Sequence, residues 1–256
     1  LAYYLAIFAM VFGSTFGTFN AAYAAVTTLS GAADATDTAN GNDVIMSTHA
    51  LTLTSTTDAL PYLTLGAITA TTGNLSFATT ATVTATSFTV DSITASGTSD
   101  VLVSIVGTSD KAQVVNVTGD LTTGGTLGVT GDAGDAVAST LNVGGNLSAG
   151  VTTLTPGTGS AILTLNGSTA QSVTAVINGN AANKGVLNVS NTSGGVTFNS
   201  VIGTSNTLSS INVTTGTATF DAAIGAVAST ITGTATFGAA SAIPTVTIAA
   251  AGTTTL

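Results

Sequence analysis

The sequence predicts an all-β chain wound as a right-handed parallel β-helix with degenerate coils of about 17–26 residues. Three observations lead there. Thr, Ala, Gly, Val and Ser dominate, and only 5% of residues are charged. One local pattern, a few alternating β-branched and apolar residues followed by Gly, Asn or Asp, runs from about residue 44 to the end. Short segments also recur in order at offsets of one coil.

The composition favours strands and turns over helices. Thr and Val suit a pleated surface, and Gly, Asn and Asp supply turns with positive φ. Helix-forming Glu and Arg are absent, and the only cations are Lys111 and Lys184. All eleven acids are Asp, which gives a net charge of -9 and a pI near 4.1. Such a chain cannot neutralise a phosphate backbone, so nucleic acid is excluded as a partner, and anionic membrane surfaces are disfavoured. With no Cys there is neither a disulfide framework nor a thiolate metal site. The 44% hydrophobic content separates the chain from disordered sequences.

Leu1–Phe12 is apolar and uncharged, a more polar stretch follows, and Ala22-Tyr23-Ala24 closes it. This order of h-region, c-region and small residues reads residues 1–24 as a signal peptide remnant lacking its start. A retained N-terminal hydrophobic helix, as in pilin-like filament subunits, is the alternative, with Gly13 and Gly17 at GxxxG spacing. Residues 25–43 read as an acidic or polar loop or cap, and 44–256 as the β-solenoid, cut short at its C-terminus.

The repeats set the register. Val115–Thr122 returns as Leu141–Ser148 at an offset of 26, and Leu187-Asn188-Val189 as Ile211-Asn212-Val213 at 24. Val196–Gly203 matches Ala218–Gly225 at 22, and Thr215–Phe220 matches Thr232–Phe237 at 17. Offsets of this size are single coils of a solenoid, with length differences taken up in the turns. Equivalent inward residues should then stack: Phe198, Phe220 and Phe237 in one column, and Val117, Val143, Val189 and Val213 in another. Thr and Ser should cover the sheets outside, with Asn forming amide ladders at the corners. About 20 residues per coil over about 210 residues, at about 4.8 Å per rung, make a rod about 50 Å long. Tandem β-sandwich domains divided near Gly124–Gly134 are the alternative architecture.

Residues 185–198 (GVLNVSNTSGGVTF) resemble the passenger repeats of large bacterial autotransporter adhesins, including the rickettsial outer-membrane type. The likeness continues to about Phe237 and is fainter over 60–160. It implies a cleaved signal, a β-helical passenger and a C-terminal membrane barrel that these residues do not include. It transfers no functional residue.

Chemistry-bearing groups are sparse. General acid–base work needs paired groups with separated pKa values, and His49 lies far in sequence from both lysines. The expectation is no enzyme, no catalytic residue and no cofactor, with calcium as the one candidate ion because it prefers oxygen ligands. Two clusters offer such oxygens: Asp34, Asp37, Asn40, Asn42 and Asp43 around Gly41, and Asp132 with Asp135 around Gly134. Solvated turns with local Asp hydrogen bonds are the competing reading of both. N-glycosylation sequons occur at Asn74, Asn116, Asn146, Asn166, Asn188, Asn191 and Asn212.

These features point to a secreted structural or adhesive repeat protein on a bacterial outer surface. It would meet a glycan, another cell-surface ligand or copies of itself through an extended Thr/Ser/Asn face. A self-assembling S-layer or filament subunit is the alternative, and a polysaccharide-acting β-helix enzyme a more distant one. Membrane contact would come only through the N-terminal segment or a C-terminal barrel.

Overall fold

The computed structural model describes residues 26–28, 33–34, 43–47, 51–55, 62–79, 86–105, 112–239, 243, 245–248 and 252–255. Among them there is no helix, so none crosses a membrane as one. The expected signal segment, His49 and Lys111 lie outside the described residues.

Every strand pairing among the described residues is parallel, and the chain forms a right-handed β-helix with three faces per coil. In the best-developed coils β1 (Gln113–Val117) lies on face A, and β2 (Leu121–Thr130) spans faces B and C. Next come β3 (Ser139–Val143) on A and β4 (Leu147–Thr155) on B and C. The following coil is β5 (Ala161–Leu165) on A, β6 (Gln171–Val173) on B and β7 (Val176–Gly179) on C. Parallel pairing also begins before position 44: Val26 lies opposite Asp43, and Ala33 opposite Leu51. Successive strands are therefore one coil apart in sequence, which the antiparallel neighbours of a β-sandwich would not be.

Period-2 alternation builds the core. Strands β1, β3 and β5 bury their first, third and fifth residues and leave the second and fourth partly exposed. On face A one inward column runs Leu65, Val90, Val117, Val143, Leu165, Val189, Val213 and Ile231, one residue per coil. All of these are buried, and the four valines expected to stack do so with Leu165 between them. On face B the column runs Ile68, Ile93, Leu121, Leu147, Val173, Phe198, Phe220 and Phe237. Phe198 and Phe220 stack with ring centroids 4.8 Å apart and planes 8° from parallel, and Phe220 and Phe237 at 5.2 Å and 8°. Phe237 is only partly buried, unlike the other two.

The repeat matches become registers: Val115 opposite Leu141, Leu187 opposite Ile211, Val196 opposite Ala218 and Thr217 opposite Thr234. Coil length falls from 26 to 25, 22 and 17 along the face-B column from Leu147 through Val173, Phe198 and Phe220 to Phe237. Face C takes the loss, shrinking from the four-residue β7 to single bridges at Ile202 and Ile224. Faces A and B keep their strands.

Replacing Phe220 by Ala should cost about 3–5 kcal/mol, because a fully buried ring leaves a cavity between two stacked neighbours. Phe237→Ala should cost clearly less, and Phe220→Asp more than either, since it buries a charge. Denaturant unfolding of the three variants measures the order; equal midpoints for Phe220→Ala and the parent would mean that position 220 faces outward.

Candidate functional surface

Three kinds of polar position arise from the coil geometry. The first is the outward row of face A. Alternation turns the residue between two buried neighbours outward, so Asn116 between Val115 and Val117 faces solvent. Register aligns it with Thr89, Asn142, Thr164, Asn188, Asn212, Thr230 and Thr247, an amide or hydroxyl in each of eight coils. Asn142 Nδ2 donates to Asn116 Oδ1 at 2.8 Å, and Asn212 Nδ2 to Asn188 Oδ1 at 2.9 Å. These amide ladders stand in mid-strand, not at the corners as expected, because the strand period decides which way the asparagines point.

The second kind is the corner. Asn74 Oδ1 accepts the backbone N–H of Asp100 at 3.0 Å, and Asp100 Oδ1 accepts that of Thr126 at 2.7 Å. At another corner Asp120 Oδ1 accepts the N–H of Asn146 at 2.6 Å, and Asn146 Oδ1 that of Ser172 at 2.8 Å. Each bond reaches 26 residues ahead, tying one turn to the next. Asp and Asn serve equally here, because the acceptor oxygen is all the bond requires.

The third kind is inside. Gln171, 3% exposed, donates Nε2 to the carbonyls of Val143 (2.9 Å) and Gly145 (2.6 Å). Its Oε1 accepts the N–H of Gly167 and Nδ2 of Asn191, both at 2.9 Å. The buried Asn191 also donates to the carbonyl of Thr169, and its Oδ1 accepts the N–H groups of Ser193 and Gly195. Gly194 and Gly195, at φ 83° and 77°, hold the positive-φ turn that delivers these donors.

Of the calcium candidates, Asp132 and Asp135 fall on one turn. Asp132 is buried, and its Oδ1 accepts the N–H groups of Gly134 (2.6 Å) and Asp135 (2.8 Å), the local turn geometry of an Asp. Asp34 and Asp43 lie in the strands Ala33–Asp34 and Asp43–Ser47, whereas Asp37, Asn40 and Asn42 lie outside the described residues. Among the described residues no three His, Cys, Asp or Glu groups come together. Three sequons lie on the row, Asn116, Asn188 and Asn212, of which Asn116 and Asn212 already donate through Nδ2, to Ser87 and Asn188; the sequon Asn166, beside the row, is exposed.

A groove of about 430 Å³ lies on this surface. Its floor is the N-terminal part of the row, Thr89, Asn116 and Asn142. Its wall is the adjoining corner, where Thr118, Gly144 and Asn166 succeed one another, with Ser168 beyond. The notch at Gly144 follows from stacking: a Cβ there would collide with the Thr118 carbonyl oxygen. Sequence reasoning found the asparagines but not the groove, whose signal is the glycine between Thr118 and Asn166 at the coil offset. No family model, curated protein or solved structure matches the chain.

Asn191→Ala should destabilise the fold by about 1–3 kcal/mol, because it leaves two turn N–H groups without their acceptor and removes the donor to Gln171 Oε1 and the Thr169 carbonyl. Asp120→Asn should be near neutral and Asp120→Ala should cost about 1 kcal/mol, since only Asn preserves the acceptor. Thermal melts of the three test the assignment; an equal loss in Asp120→Asn and Asp120→Ala would show that the charge, not the hydrogen bond, matters.

Proposed function

We propose that the chain is a secreted, non-enzymatic surface protein that works as a rod, binding through extended rows of hydroxyl and amide groups. The observation that carries this reading is the face-A row, which presents Asn or Thr in eight successive coils without one charged member. Such a row offers weak, uncharged donors and acceptors at about 4.8 Å intervals on a rigid support. Many modest contacts then add by multivalency. The likeness of residues 185–198 to autotransporter passenger repeats, and the signal-like order of residues 1–24, support a place on the outer surface of a bacterium. Asp100, Asp120 and Asp132 serve as acceptors for the chain's own N–H groups, a structural duty.

Beads coated with the full chain should adhere to cells or immobilised polysaccharide. Adhesion should fall stepwise as Thr164, Asn188, Asn212 and Thr230 are changed cumulatively to Ala. Salt up to about 0.5 M should change it little, since no ion pairs are involved. Complete loss of adhesion from any one of these substitutions, with the melting temperature unchanged, would replace the extended surface with a discrete site.

A further inference from the structure

The face-A groove differs from the rest of the row in holding unspent hydrogen-bonding capacity inside a concave shape. Asn142 gives Nδ2 to Asn116, but the next rung carries Thr164, so no ladder partner reaches Asn142 Oδ1. The exposed Asn166 side chain makes no hydrogen bond among the described residues. Each of these amides can donate and accept at once, as can the Thr89 and Ser168 hydroxyls, whereas the Thr118 hydroxyl donates to Asp91 and is left to accept. Vicinal hydroxyls of a sugar ring match that pattern.

Other ligand classes fit poorly. Every lining side chain is uncharged, so a phosphate or carboxylate finds no counter-ion. The one aliphatic side chain of the lining, Val117, is 1% exposed, so the apolar surface comes from methyl and methylene groups interleaved with polar atoms, which suits a sugar ring better than a wholly greasy ligand. A peptide strand has no free edge to extend, because β1 and β3 are paired on both sides. The dimensions suit a linear chain: the groove crosses four coils, about 14 Å at about 4.8 Å per rung. That step is close to the length of one extended pyranose unit, and about 430 Å³ lies within the usual range of small-ligand sites.

We propose that this groove is a subsite for an uncharged, unbranched oligosaccharide lying along the helix axis, with successive sugar units over successive coils. Asn142 and Asn166 make the principal hydrogen bonds, and the Gly144 notch admits the ring edge between Thr118 and Asn166. The assignment rests on the surface-rod reading and names the chemistry of one part of that surface.

The test is titration of the full chain with cellohexaose, maltohexaose and chitohexaose, followed by calorimetry and NMR. At least one hexamer should bind. Asn166→Ala should weaken it roughly two- to tenfold, the loss of a neutral hydrogen bond. Ser168→Tyr, which fills the groove from an exposed position, should abolish binding. Leu102→Ala, at an exposed position of face C away from the groove, should leave it unchanged. Melting temperatures of all three variants should stay near the parent value, and any variant that melts early is replaced by Asn166→Ser or Ser168→Phe. Failure of all three hexamers to bind, parental affinity in the groove-filling variant, or preference for oligogalacturonate over the neutral hexamers would each overturn the proposal. If no hexamer binds while coated beads still adhere to cells, the groove assignment fails and the rod reading stands. If hexamers bind but coated beads do not adhere, the groove stands and the rod reading fails.

Discussion

Parallel pairing in register sets every side chain about 4.8 Å from its counterpart one coil away, and a residue must above all be compatible with that neighbour. Phenylalanine is, because rings at that spacing stack face to face, as Phe198, Phe220 and Phe237 do. Asparagine is, because its amide donates to one side and accepts from the other. A carboxylate is not, since two in register repel at short range. The described acids respect this rule: Asp100 lies between Asn74 and Thr126, Asp120 passes to Asn146, and Asp221 lies between Asn199 and Gly238. Charge poverty and the outward rows of Thr and Asn follow from the stacking constraint, whatever the ligand outside.

Interior polar groups divide by position. At the corner between faces A and B, Gln171 and Asn191 meet backbone carbonyls and turn N–H groups left over where strands end, and both are well bonded. On the walls the strand backbone is already spent on its neighbours. There Thr152 replaces an aliphatic residue in the face-C column of Leu127 and Ile177, and its hydroxyl finds no partner. Gln113 is buried with both amide atoms unbonded. Such groups cost roughly 1–3 kcal/mol each if dry.

The fold was legible because a solenoid writes its contacts into the sequence as repeats. Val196–Gly203 against Ala218–Gly225 specifies both the pairing of Phe198 with Phe220 and the bridge of Ile202 with Ile224. The direction of the asparagines was legible in principle, since Asn116 and Asn142 sit between buried valines and leucines, yet amide ladders are more often imagined at turns. Two things were not legible. The three faces per coil depend on short corners such as Thr118-Gly119-Asp120, which read locally as ordinary turns. The groove depends on what is missing at Gly144, and an absent side chain gives no periodic signal.

Because each coil touches only its neighbours, stability and surface chemistry are both assembled from nearest-neighbour terms. An inward change at Val143 disturbs Val117 and Leu165 and little else, while the outward Asn142 beside it alters one step of the Asn/Thr row. The inner columns fix the pitch, and the pitch fixes the spacing of outward groups, so outer residues vary among Asn, Thr and Ser without affecting how the rod closes. The shortening of face C toward the C-terminus makes the same point from within one chain. Coils drop from 25 to 17 residues between Val173 and Phe237, yet the inward columns of faces A and B stay aligned, the one register shift in that span falling at the end of a face-A strand, between Val189 and Ser190. A surface built on face A is thereby insulated from length changes on the opposite turn, which is what an extended recognition row requires of its support.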